Sequence, residues 1–496
     1  MTVEQQTLTG ALCGWASTLR LADVPQRVIG LATSQVLSQL AAVRAGRAHP
    51  LGRKLIQAFG PPLQADPGRS AAVLASLGSW LNLDDTAYAG HLGGSTVCVP
   101  VAYAAALGLD GAALLTAVIA ANECAARITA AATLGPFRGQ SALHTHLAGT
   151  IAGRLRAESA PARQWVNAFG LAFTMPTWPS MHGFLGSDAK ALHAMNPVRA
   201  ALDACDAAAA GLTGTPDILE HPDGFLARFS TVPLPDAVTD GLGLRWHTDT
   251  LSFKVRPGGP GIDAAVDCAI ELHRDLVDAG VAPDRDVTRI VVDASLYTGY
   301  VGRRAGDHLA GPDTPISALL LAAPYAVATT LLAGDLTVAD FADPAVRDAR
   351  RWALADTVEL THDPDMTRSL LASVAPFGEA LRQAGHRAVS WLARFGGDEL
   401  VALAADPGPP ADTFETATKM TPARVTVHLA DGRTFSRARD IPIGAAGPDT
   451  RARHVELMRA KFVTHGGSTA VADGLADLCA QSPSELARLL RAAVAD

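Results

Sequence analysis

The chain has 496 residues, of which 48% are hydrophobic, 18% charged and 5% aromatic, with a formal net charge of −8. That length is enough for two domains around sizeable cores. The absence of any basic block argues against nucleic acid as a partner. Abundant Ala and scarce aromatics favour closely packed helices over sheet.

Residues 1–230 read as helix after helix. Apolar residues recur at helical spacing over 8–19, 25–46, 69–81, 99–107, 111–131, 146–157 and 162–173. Pro- and Gly-rich breaks separate many of them. Residues 175–189 read as a loop, and 190–211 as one more helix. Near residue 245 the period changes. Strand-like pieces are predicted over 250–255, 287–294, 353–360 and 424–429, the last paired with 433–438 through Ala430-Asp431-Gly432 as a hairpin. Helices are interleaved over 261–279, 315–333 and 380–394. From Thr450 the chain returns to helix, over 453–463, 470–480 and 482–493. The expected fold is mainly α: a large all-helical domain (1–245), an inserted α+β lid domain (246–445), and C-terminal helices (446–496) that rejoin the first domain.

Within the helical part, residues 82–94 stand out. Asp84, Asp85, Thr86 and His91 fall inside one short stretch flanked by apolar helical sequence and followed by Gly93-Gly94. Such an interruption suggests the polar wall of a pocket. The plain alternative is a helix start with Asp85 or Thr86 as its N-cap. Only five of the 41 basic residues are Lys, at positions 54, 190, 254, 419 and 461. Against that arginine bias a retained Lys is informative, because an ammonium fits pockets that a guanidinium does not.

The six cysteines are scattered with no Cys-x-x-Cys pair, so a zinc site or iron–sulfur cluster has no support. Reduced thiols in a cytoplasmic protein are the expectation. His144-Thr-His146 is a weak metal cue without a third ligand, and no dinucleotide fingerprint or P-loop is present. No cofactor or metal is therefore expected. The N-terminus lacks the basic start of a signal peptide, and the longest apolar runs, such as 99–109, read as too short for a bilayer.

In chain order, several segments together resemble the MmgE/PrpD family, which includes 2-methylcitrate dehydratase, cis-aconitate decarboxylase and iminodisuccinate epimerase. They are Leu83-Asp84-Asp85-Thr86 with His91 and Gly93-Gly94, then Arg138-Gly139 with His144-Thr145 and Gly149. Lys190-Ala-Leu-His193, Pro222-Asp223-Gly224-Phe225 and Phe253-Lys254 with Ile262-Asp263-Ala264 follow. Pro324-Tyr325-Ala326 and Arg459-Ala460-Lys461-Phe462 complete the set. The resemblance implies a homodimer without metal or organic cofactor, acting by proton or CO2 removal next to a carboxylate on a small metabolite. It implies His91, His144, Tyr325 and Asp84 as catalytic residues, and Asn82, Thr86, Lys190, His193, Lys254 and Arg256 as substrate-binding ones.

The departures from the pattern are specific. The acid expected two positions before the Asp pair is Asn82, and an amide cannot serve as a carboxylate base. Leu143 stands where a His is expected, Ala322 where a Ser is, and Met195 where a Gly is. The segment after Lys254 is shortened to Lys254-Val-Arg-Pro257 and lacks its downstream His. These changes point away from 2-methylcitrate and toward a specialised pathway. A lyase (dehydratase or decarboxylase) is the leading expectation. An epimerase, isomerase or cyclase without net elimination, and a silent binding homologue, are the alternatives.

Overall fold

A computed structural model describes residues 6–136, 141–176, 179–404 and 407–495. The Arg138-Gly139 pair lies outside them. The protein is mainly helical, with a two-stranded ribbon and one four-stranded sheet among the described residues.

The centre of the helical body is the Gly111–Ala132 helix. Asp110 caps it by accepting from the Ala113 amide at 2.8 Å, and nearly every residue along it is buried. By length and composition it is long and apolar enough to cross a membrane, unlike the runs singled out from sequence, but here it lies in the protein interior. Against it pack the helices Leu8–Thr18, Gln26–Ala48, Cys98–Leu107 and Ser141–Ala157, and Pro67–Ser79, Ala162–Thr174 and Met195–Ala209 pack on these in turn. Small residues permit close crossings. At Gly46 an added Cβ would sit 1.9 Å from the Leu77 carbonyl oxygen, so the Gln26–Ala48 and Pro67–Ser79 helices touch backbone to backbone there. The closing helices Pro448–Thr464 and Pro483–Val494 lie against Gln26–Ala48, and Arg44 donates to the carbonyls of His465, Ala493 and Ala495.

The sheet has its own core. Strand β1 (Thr86–Ala87) and β2 (Gly90–His91) form the small ribbon; β3 (Val287–Ala294), β4 (Val358–His362), β5 (Ala423–Leu429) and β6 (Thr434–Arg439) form the sheet in the order β4-β3-β5-β6. β3 and β4 run parallel; β5 is antiparallel to β3 and to β6. Ile290, Val292, Val425 and Val427 face the helices Asp263–Asp278 and Ala323–Ala333, burying one side of the sheet as period-2 alternation requires. The β5–β6 hairpin is the one read from Ala430-Asp431-Gly432.

Several expected elements differ. Residues 250–255 make only a single bridge, Thr86 to Ser252, because no second strand flanks them. The 353–360 segment is a helix, Ala349–Ala355, before β4 starts; the Asp348 side chain caps it. The expected helix 190–211 is a 3-10 turn, Asp188–Leu192, followed by Met195–Ala209. Pro197 has no N–H to bond back to His193, and it is tolerated only in the first turn of a new helix. That break aims Lys190 away from the helix it would have continued. Residues 175–189 also carry a short helix, Met181–Gly186.

Gly46→Ala tests the close crossing. Added to an exposed helix, the methyl group stabilises by about 1 kcal/mol. Here the sign reverses, and urea denaturation should show a loss of about 1–3 kcal/mol from overpacking.

Candidate active site

The polar segment begins where the Pro67–Ser79 helix stops. Asn82 takes the left-handed conformation (φ 52°), which Asn tolerates better than most residues, and turns the chain into the interior. Neither Asp84 nor Asp85 caps a helix with its side chain. Both are fully buried, and successive side chains of this extended stretch diverge.

Asp84 faces His91, whose Nδ1 lies 3.0 and 3.1 Å from the two carboxylate oxygens. Burial raises the Asp84 carboxyl, but the charge and hydrogen bond of His91 more than offset it and hold the group below the ordinary carboxylate value. An ionised Asp84 makes Nδ1 the donor and leaves Nε2 of His91 as the basic atom. Asp85 accepts from Ser38 Oγ at 2.7 Å, and Ser38 in turn accepts from Lys461 Nζ at 2.8 Å. Burial pushes Asp85 up and Lys461 down.

The glycines of this segment serve packing. A Cβ at Gly90 would lie 2.7 Å from Thr129 Cγ2, and one at Gly93 would lie 2.3 Å from Gln39 Oε1.

Four of the five lysines are buried around this segment. Lys190 Nζ donates to the Trp80 carbonyl (2.5 Å) and to Asn82 Oδ1 (2.7 Å). Burial lowers it to about 7, with nearby Asp84 opposing the shift. Two of three ammonium donors are thus committed, and one remains. Lys461 also donates to the Leu83 carbonyl at 2.7 Å. Lys419 Nζ donates to Thr86 Oγ1 at 2.8 Å and is lowered by burial to about 8. Lys254 donates to the Gly258 carbonyl at 2.9 Å and lies 3.4 Å from Asp263.

A cavity of about 180 Å³ opens between the helical body and the residues after 259. It brings Asn82, His91, His144, Lys190 and His193 together. His193 Nδ1 donates to the Lys190 carbonyl at 2.5 Å, and its ring lies 6.0 Å from that of His91. Burial, with Lys190 beside it, holds His193 well below the ordinary imidazole value. Burial also pushes His144 down to about 3. His144 is therefore neutral at physiological pH, too weak a base and not an acid.

Other expected site residues stand outside the cavity lining. Tyr325 donates to the Asp340 carbonyl at 2.5 Å, and its ring packs on Trp352 and Phe341. Its hydroxyl is committed there, away from His91 and Lys190. Arg256 pairs with Asp267 and Asp335. Thr86 and Lys254 support the polar segment from behind, and Asp84 acts through His91. Sequence reasoning did not find Tyr297, Tyr300 and Arg304, which line the opposite wall from the Leu296–Gly306 helix. Nor did it assign roles to Lys419 and Lys461, although the rarity of lysine had marked both. Among the described residues no three His, Cys, Asp or Glu side chains gather as metal ligands.

An imidazole oriented by a buried carboxylate, with a buried lysine across a small cavity, is the equipment of an enzyme that handles protons beside a negative charge. The sequence matches the model of the MmgE/PrpD N-terminal domain over residues 10–236 and that of the MmgE/PrpD C-terminal domain over residues 259–391. The chain belongs to the MmgE/PrpD family, whose members are generally dehydratase-like enzymes. Comparison with curated proteins gives no match.

The two supporting lysines should respond oppositely to substitution. Lys419 has a hydroxyl partner but no carboxylate within ion-pair distance among the described residues, so Lys419→Met should be neutral or stabilising in urea denaturation. Lys461→Met strands Asp85 and Ser38 and should cost about 3 kcal/mol in the same measurement.

Proposed function

We propose that the protein is a cofactor-independent lyase acting on a small carboxylated metabolite. His91 Nε2 takes the proton from the carbon next to the carboxylate, and Asp84 stabilises the imidazolium that forms. Lys190 holds the carboxylate through its remaining N–H and neutralises the enediolate-like charge as it develops. In a dehydration the electron pair then expels a β-hydroxyl. Tyr300, whose oxygen accepts from Arg304 Nη2 at 3.0 Å, supplies the proton that turns it into water. Loss of CO2 in place of a proton develops the same charge against Lys190. The observation that carries this reading is the Asp84–His91 pair facing the same cavity as Lys190.

A second reading is isomerisation or cyclisation without elimination. It is favoured by the Lys190 amine, which near 7 can return a proton as readily as hold one. Asn82 supports a substrate other than 2-methylcitrate: a neutral amide, not an acid, faces Lys190. We also infer a homodimer working in the cytoplasm within a specialised pathway, on the family resemblance alone. Light scattering of the purified protein checks the first of these.

Exchange of the substrate C2 hydrogen with deuterated water, followed by NMR, is the decisive measurement. His91→Ala should lower the exchange rate by about 10²–10⁴-fold. Lys190→Ala should mainly weaken binding. Wild-type exchange in both variants overturns the assignment, and neither exchange nor CO2 release by the wild-type protein leaves only the silent homologue.

The pH dependence has a fixed sign. Only the Lys190 ammonium attracts a carboxylate, so affinity should be highest below about pH 7 and fall about tenfold per pH unit above it. Asn82→Asp puts a carboxylate beside that ammonium and keeps it protonated to higher pH. The fall measured by calorimetry should then move up toward the ordinary lysine range. An unmoved profile excludes Lys190 as the titrating group.

A further inference from the structure

Part of the cavity wall is apolar. Met181, Phe184, Leu185, Phe229, Val301 and Leu321 line it. A tricarboxylate placed there would strip water from charges with no cation to meet them, which is unfavourable. Lys254, Lys419, Lys461 and Arg256 do not line the cavity and are engaged elsewhere. Arg304 is half-buried at the rim, where it also borders neighbouring surface grooves, with its guanidinium over the Tyr300 ring. Lys190 is the one lysine that lines the cavity, and Arg304 the one arginine.

His144 interrupts the apolar wall. Its ring packs 5.0 Å from that of Phe229 and 5.9 Å from that of Phe225, and the residue is 2% exposed. Neither ring nitrogen has a hydrogen-bond partner among the described residues. A buried polar group left unpaired is destabilising and rare, so it signals a missing partner. A neutral imidazole offers one donor and one acceptor, which suits an uncharged oxygen.

We propose that the substrate is an amphipathic acid: one carboxylate at Lys190, an apolar body along Phe184, Phe229 and Val301, and an uncharged hydroxyl or carbonyl oxygen bonded to His144. This rests on the reading that Lys190 receives the carboxylate, and it adds His144 as the residue that selects the oxygenated body. Because burial holds His144 neutral, its contribution stays constant across the physiological pH range.

Calorimetric titration of the full-length protein at about pH 6.5, where Lys190 is protonated, tests this with three probes. They are 3-(4-hydroxyphenyl)propanoate, 3-phenylpropanoate and citrate. Both phenyl acids should bind and citrate should not. The hydroxy acid should bind about tenfold more tightly than its deoxy analogue, the worth of one neutral hydrogen bond in a buried site. His144→Leu should erase that preference while leaving the deoxy acid bound; His144→Met, closer in volume, should do the same if the leucine variant does not fold. Citrate binding more tightly than either phenyl acid, no binding of either phenyl acid, or a preference that survives at position 144 overturns the proposal. The readout is binding, so it separates from the chemistry. The expected binding pattern without deuterium exchange removes the lyase reading and keeps the pocket assignment. Exchange on a true substrate without the binding pattern does the reverse.

Discussion

Two adjacent carboxylates, Asp84 and Asp85, are buried completely, and much of the architecture answers the cost of that. An ion in a protein interior loses several kcal/mol of hydration unless a partner replaces it. Here the partners arrive from different parts of the chain. His91 comes from the adjacent ribbon, Ser38 from the Gln26–Ala48 helix, and Lys461 from the C-terminal Pro448–Thr464 helix. Lys190 stands nearby, held by the Trp80 and Asn82 oxygens. A misplacement of the C-terminal helices would leave Asp85 without its cation, so the charge network and the helix packing specify each other.

Burial also sorts the roles of the titratable groups. It drives His144 and His193 to the neutral form and brings Lys190 to about neutral pH. The result is a cavity in which positive charge is carried by one movable ammonium, and hydrogen bonds by uncharged imidazoles. The His91 side chain is 15% exposed, with Asp84 behind it. One helix break sets this up: Pro197 forces a new helix after Ala194, and the preceding 3-10 turn directs Lys190 to Trp80 and Asn82 rather than along a continuous helical face.

The supporting shell is as selective as the cavity. Gly90 and Gly93 permit the ribbon to touch Thr129 and Gln39, so those glycines belong to packing and not to ligand binding. Lys419 and Lys254 brace Thr86 and the loop through Gly258 from the side away from the cavity. The opposite wall comes from the Leu296–Gly306 helix, next to the sheet and its separate apolar core. Tyr297 of that helix packs into the same apolar core as the helical body, so the two walls are held together.

The sequence by itself determined the elements with strong local signals. Helical periodicity marked most of the first 230 residues, the Asp-Gly turn marked the β5–β6 hairpin, and the order of short motifs across the chain marked the family. The Asp84–His91 pair was legible because both residues lie within one short stretch of sequence. What only the tertiary structure decided depends on distance in the chain or on burial. Tyr325 fits the family pattern, yet its hydroxyl is spent on Asp340, a contact no local pattern encodes. Lys461 was visible as a rare lysine, but its target lies far away in sequence at Ser38 and Leu83. The burial that pushes His144 to the neutral form comes from Phe225 and Phe229, far from it in the chain, because the protonation state of an imidazole is set by the solvent it has lost and not by the residues beside it in the sequence.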